Sequence, residues 1–177
     1  MDKKKGKPFS EKEALGITYQ IVLGLSALSE NNIVHRDMKP ENIFINKRVF
    51  KLGDFGFARE VTDKFTTQLG TCLYMGPEFY NNDELTSKVD VWALGCMFHQ
   101  MLFNELCYDG RNQMDVQNKV KNTPYKLPKG AKLDPKTENL IMGMLEKKPQ
   151  DRLSIQDLRN HSVIFSFVKI KKGICIL

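Results

Sequence analysis

The stretch His35-Arg36-Asp37-Met38-Lys39-Pro40-Glu41-Asn42 decides how this chain folds, and Asp54-Phe55-Gly56 begins twelve positions after Asn42. Between the two, Ile43-Phe44-Ile45 and Val49 to Leu52 are short apolar runs separated by Asn46-Lys47-Arg48. Two such runs around a polar turn predict a β-hairpin. Its ends would bring Asp37, Lys39 and Asn42 close to Asp54, placing two carboxylates, an ammonium and an amide together. Isolated Asp and Asn residues in loops usually cap helices or stabilise turns. The joint spacing speaks against that reading here. With His35, Arg36, Asp37, Lys39 and Asn42 fixed, a chance match occurs on the order of 10⁻⁷ times per starting position at equal letter frequencies.

Working outward, Ser10-x-x-Glu13 is a capping box, and Ala14, Ile17, Ile21, Leu25 and Leu28 recur every three or four residues. This predicts an amphipathic helix from about 11 to 30, ended by Asn31 and Asn32. Downstream, from about Ser87 to Phe103, Val89, Val91, Trp92, Leu94, Met97, Phe98, Met101 and Leu102 surround the helix axis. A helix apolar on most sides is buried, so this one is expected at the centre of the core. Asp134-Pro135 reads as an N-cap with proline at the first helical position, followed by Leu140, Ile141, Met144 and Leu145. Lys147-Lys148-Pro149 closes that helix, and Ser154-x-x-Asp157 opens a last short one near His161. From Phe165 onward no organisation is assigned, and few strands besides the hairpin are expected.

The chain has 177 residues, 41% hydrophobic and 27% charged, a balance that suits one domain with a substantial core. No apolar stretch resembles a leader or a membrane span; the longest run, around Val91 to Phe98, is too short. The four cysteines (Cys72, Cys96, Cys107, Cys175) have no C-x-x-C spacing, which fits reduced thiols in an intracellular, cytoplasmic setting. Cys175 is third from the end, one position off the prenylation pattern. The net charge of +6 arises largely at the two ends, from Lys3, Lys4, Lys5 and Lys7 and from Lys169, Lys171 and Lys172. Solvated termini explain it, and without an interleaved aromatic stripe no nucleic-acid partner is expected.

Taken with Gly76-Pro77-Glu78, Asp90-Val91-Trp92-x-x-Gly95 and Pro149-x-x-Arg152, the His-Arg-Asp and Asp-Phe-Gly segments resemble those of protein kinases. The resemblance covers roughly Asp2 to Phe165. It implies a mainly α fold, the large lobe of a kinase, with a short β-hairpin carrying the active site. Residues 1–165 would be the kinase lobe and 166–177 a tail. Lys39 stands where serine/threonine kinases commonly carry a lysine. Phe57-Ala58-Arg59 and Leu73-Tyr74-Met75 resemble autophagy-initiating and NIMA-related kinases, and calcium/calmodulin-dependent types share parts of the pattern.

The implied chemistry is transfer of a phosphoryl group from ATP to a protein hydroxyl, with Mg2+ as the ion. Such transfer needs positioning and positive charge rather than covalent help. By resemblance, Asp37 accepts or orients the hydroxyl proton and Lys39 stabilises charge on the transferred group. Asn42 and Asp54 are hard oxygen donors suited to magnesium. His35 is expected to pack with Phe55 rather than bind metal. Glu78 is expected to pair with Arg152, Asp90 to bond the catalytic-loop backbone, and Thr71 to contact Asp37 and Lys39. Arg36 beside Asp37 implies control by a phosphate in the activation segment, from an upstream kinase or a regulatory partner, with Thr67 the favoured acceptor and Thr66 its alternative.

A complete kinase domain also carries a small lobe with a Gly-rich loop, a strand lysine and a helix glutamate. Only 34 residues precede His35, and no Gly-x-Gly-x-x-Gly occurs in the sequence. The small N-terminal lobe is therefore expected to be absent, with the chain a fragment of a kinase. Little activity is expected from it alone, since losing one preorganised donor typically costs about 10²–10³ in rate. The competing expectation is a catalytically inactive, pseudokinase-like interaction module.

Overall fold

The structure is a computed structural model that describes residues 7–60, 72–81 and 83–166. Helix α1 spans Glu11–Glu30. The Ser10 side chain accepts from the Glu13 N–H while the Glu13 carboxylate receives the Ser10 N–H, so both arms of the capping box form. Ala14, Ile17, Ile21, Val22 and Leu25 bury one face. The Asn31 N–H closes the helix on Leu28 O, and Asn32 turns the chain at φ 56°.

Beyond that turn, β1 (Ile33–Val34) leads into the His-Arg-Asp loop. β2 (Ile43–Asn46) and β3 (Val49–Leu52) pair antiparallel in register from Ile43–Leu52 to Asn46–Val49. Their connection is Lys47-Arg48 alone, at φ 47° and 69°. Positive φ at both central residues is the turn whose twist matches the strands, here adopted without glycine. Gln20 on α1 accepts the Phe50 N–H at 3.0 Å, tying the hairpin to the first helix. β4 (Arg59–Glu60) returns to pair antiparallel with β1, an addition to the hairpin expected from sequence.

The remaining elements are helical. α2 (Glu78–Asn81) is a single turn. α3 (Lys88–Phe103) is buried at every residue from Val89 to His99, the central position expected of a helix apolar on most sides. Gly95 lets α5 (Pro135–Met144) approach it closely: a Cβ there would stand 2.9 Å from the Leu145 side chain. Between them lies α4 (Gln113–Asn122), which sequence periodicity did not reveal. Only Val116 and Val120 point inward, and a single i,i+4 apolar pair in a polar decapeptide gives no readable period. α6 (Ile155–Asn160) starts at the Ser154–Asp157 capping box, and α7 (Ser162–Phe165) adds a turn that buries Ile164. Among the described residues no helix is long and apolar enough to cross a membrane.

Candidate active site

The site is assembled on the loop between β1 and β2. Asp90, in the first turn of α3, accepts the His35 N–H at 2.8 Å and the Arg36 N–H at 2.9 Å, one on each carboxylate oxygen. Burial pushes the Asp90 carboxyl up from its ordinary pKa, while the two N–H donors and the Arg36 charge oppose that shift. The loop backbone is thus pinned to the buried helix. Arg36 takes φ 68° and Asp54 φ 55°, a left-handed conformation that non-glycine residues adopt at a cost.

Within the loop, His35 is wholly buried. Its Nδ1 accepts the Asp37 N–H at 3.4 Å, so its Nε2 carries the proton and donates to Gly53 O at 3.0 Å. That contact joins the loop to the Asp-Phe-Gly strand end, as does the Gly53 N–H on Asn42 O at 3.0 Å. The Phe55 ring lies 5.4 Å from the His35 ring, centre to centre. Phe55 is nevertheless 49% exposed, so the packing expected of the pair covers one side of the phenyl ring only.

Asp37, Lys39 and Asn42 converge. Lys39 Nζ donates to Asp37 Oδ2 at 2.7 Å, and Asn42 Nδ2 donates to the same oxygen at 3.0 Å and to Asp37 O at 2.8 Å. The tight turn Pro40–Asn42, closed by the Asn42 N–H on Lys39 O, makes this convergence possible. Both recorded side-chain partners of Asp37 fall on Oδ2, and Asp37 lines a small cleft together with Arg36, Lys39, Tyr74, Met75 and Phe79.

The donor set suits magnesium. Asn42 commits its amide nitrogen to Asp37, which leaves its amide oxygen as a ligand, and Asp54 adds a carboxylate across the Asn42–Gly53 backbone bond. Two hard protein oxygens, with phosphate and water completing the shell, are what this ion usually takes. Among the described residues no cluster of three or more His, Cys, Asp or Glu side chains offers an alternative metal site.

Glu78 and Arg152 form a second charged centre. Arg152 donates from Nη1 to Glu78 Oε1 at 2.6 Å and from Nη2 to Oε2 at 3.0 Å, with both residues 1% exposed. Its other N–H groups reach Lys88 O, Glu146 O and Lys147 O, and the guanidinium lies 4.9 Å from the Trp92 ring centre. Thr67 and Thr71 lie outside the described residues. One contact escaped sequence reasoning: Tyr74 Oη donates to Gln100 Oε1 at 2.7 Å. The signal was a glutamine interrupting the apolar sequence of α3.

The protein kinase domain family matches residues 1–164. Serine/threonine-protein kinase atg1 of Dictyostelium discoideum is 35% identical over 162 residues, 88% of this chain and 24% of that protein. Serine/threonine-protein kinase Nek5 of Homo sapiens is 32% identical over 163 residues, 89% of this chain and 23% of its own length. Serine/threonine-protein kinase polo of Drosophila melanogaster, a type the sequence motifs did not suggest, is 31% identical over 173 residues, 96% of this chain and 29% of the relative. The chain thus spans about a quarter of the length of these relatives. With the match running across nearly all of it, this chain belongs to the protein kinase domain family, on the serine/threonine side of that family.

Proposed function

We propose that residues 1–165 are the large lobe of a kinase that transfers the terminal phosphoryl group of ATP to serine or threonine in a protein substrate. The observation that carries this reading is the Asp37 carboxylate, held by Lys39 and Asn42 through one oxygen in the lining of a cleft. A substrate hydroxyl there hydrogen-bonds the Asp37 carboxylate. Its oxygen attacks the terminal phosphorus, the bond to the bridging oxygen of ADP breaks, and the hydroxyl proton passes to Asp37. Lys39 places its ammonium beside the developing charge. Asn42 and Asp54 would hold Mg2+, which when bound neutralises phosphate charge. Asp90 acts through the backbone, keeping Asp37 aimed without meeting substrate.

In this reading the lobe works with a phosphate-covering small lobe. Thr67 belongs to the same proposal as the acceptor of an activating phosphate; mass spectrometry showing Thr66 and Thr67 unmodified in an active preparation would remove it. A second reading, a non-catalytic interaction module, draws on one observation. Phe44, Ile45 and Phe55, beside the loop, are 58%, 42% and 49% exposed, an apolar edge suited to a partner.

One assay separates the two. Magnesium-dependent phosphate transfer from ATP to a generic basic protein is measured for this chain and for Asp37→Ala. Activity that disappears in the variant supports the catalytic reading, with a partner or second copy completing the site. Absence of activity from both favours the interaction module or a lobe that needs a small lobe to complete its site.

A further inference from the structure

The last turn of α4 and the connector to α5 carry positive charge for which the proposed chemistry has no use. Between Asn118 and Leu133 stand five lysines, Lys119, Lys121, Lys126, Lys129 and Lys132, and no acidic residue. Lys119 is engaged by Asp109 and Asp115. The other four are exposed, and the ion pairs recorded among the described residues include none of them.

Their display is built into the backbone. Tyr125 is buried and bonded through Oη to His99 Nδ1 at 2.8 Å, while Leu127 and Leu133 pack on the core. Lys126 and Lys132 therefore project from a pinned segment rather than a loose one. Between them the Ala131 N–H bonds Pro128 O at 3.0 Å, and Gly130 takes φ 83°, so a tight turn sets Lys129 at its corner. At the other end Lys121 shares a face of α4 with Asn118 and Met114, at i, i+3 and i+7 counted back from Lys121. Met114 is 77% exposed.

We infer that this ridge docks an acidic segment of a protein partner. Its carboxylates meet Lys121, Lys126, Lys129 and Lys132, and an apolar side chain rests on Met114. Charge complementarity sets the sign of the partner, and the pinned backbone lowers the ordering cost that usually makes exposed ion pairs weak. A bilayer is the poorer occupant because Met114 is the one large exposed apolar residue recorded on this ridge, with no hydrophobic face to insert. A nucleic acid is poorer because the connector's aromatic residue, Tyr125, is buried and offers no ring for stacking. The inference stands apart from the catalytic reading, since it concerns binding alone.

The test is fluorescence anisotropy of the full chain with a labelled peptide of glutamates around a central leucine. Wild type binds, and its affinity falls several-fold as salt is raised from low to physiological ionic strength. Lys126→Glu/Lys129→Glu/Lys132→Glu loses about tenfold or more. Lys129→Glu alone, at an open turn corner, loses several-fold and serves if the triple variant folds poorly. Met114→Ser weakens binding by a smaller factor, and Asp37→Ala binds like wild type, which separates this outcome from any failure of catalysis. Equal binding by wild type and Lys129→Glu, or no binding by wild type, overturns the inference. Tighter binding to phosphatidylserine vesicles or to a DNA duplex than to the peptide overturns it as well, by assigning the ridge to another kind of partner.

Discussion

Two ion pairs in this molecule use similar groups and are built differently. Around Arg152 every guanidinium N–H is matched: two reach the Glu78 carboxylate and three reach backbone carbonyls. Around Asp37 the lysine is 20% exposed, both recorded side-chain donors crowd one oxygen, and the residue lines a cleft. A saturated pair has no valence left for a ligand and can only hold chain segments together, here α2, α3 and the segment before α6. The Asp37 carboxylate is held in place through one oxygen, and among the described residues no side-chain donor is recorded on the other, which suits it to handling a substrate proton. Saturation of hydrogen bonds separates the two sites better than burial or charge, because Asp37 is itself only 6% exposed.

The strongest attempt to break this contrast is Asp37→Asn, which keeps the shape and removes the proton acceptor. In whichever preparation carries activity, turnover is expected to fall about 10²–10⁴-fold while the thermal midpoint barely moves. A large stability loss would show that the Asp37 centre is structural too.

Arg152→Met is the converse. It leaves the Glu78 carboxylate buried without its partner and is expected to cost about 3–5 kcal/mol, read from denaturant unfolding. Adding Glu78→Gln to that variant removes the stranded charge and should recover part of the loss. Gly76→Ala tests how tightly Glu78 is clamped. A Cβ at position 76 would stand 2.6 Å from Glu78 Oε2, which Arg152 holds in place, so an alanine there should destabilise this chain by about 1–3 kcal/mol.

A third pair sharpens the rule. His99 Nε2 lies 3.8 Å from Glu105 Oε1, close enough to be read as ionic. Burial, however, pushes the His99 pKa down to about 4, so the ring is neutral at pH 7. Unfolded, the imidazole titrates near 6.5, so between pH 6.5 and 4 the unfolded chain binds more protons than the folded one. Stability should therefore fall as pH drops through that window, by at most about 1.4 kcal/mol per pH unit from this group. His99→Gln should flatten the slope; an unchanged slope would mean that the pair is charged after all.

Legibility in the sequence followed the strength of local signals. The helix expected over 11–30 is α1, because capping box, apolar period and terminal asparagines agree. The hairpin was equally plain from its two apolar runs, and His35, Asp37, Lys39, Asn42 and Asp54 could be singled out because their spacing is short and shared with a known pattern. α4 escaped because its two inward valines are too few to mark a face. The β1–β4 pair escaped because two-residue strands are made by pairing across the fold, not by any preference of their own.

By itself the sequence determined the helices with strong caps, the hairpin and the family, since those depend on residues near one another in the chain or on a fixed string of letters. Tertiary structure alone decided which donors share an oxygen of Asp37, that Arg152 spends every N–H, that Tyr74 meets Gln100, and that Phe55 is only half covered. Saturation and exposure are properties of what surrounds an atom from all sides. The neighbours that set them come from as far as 74 residues away in the chain, as Glu78 does for Arg152, and no local pattern encodes them.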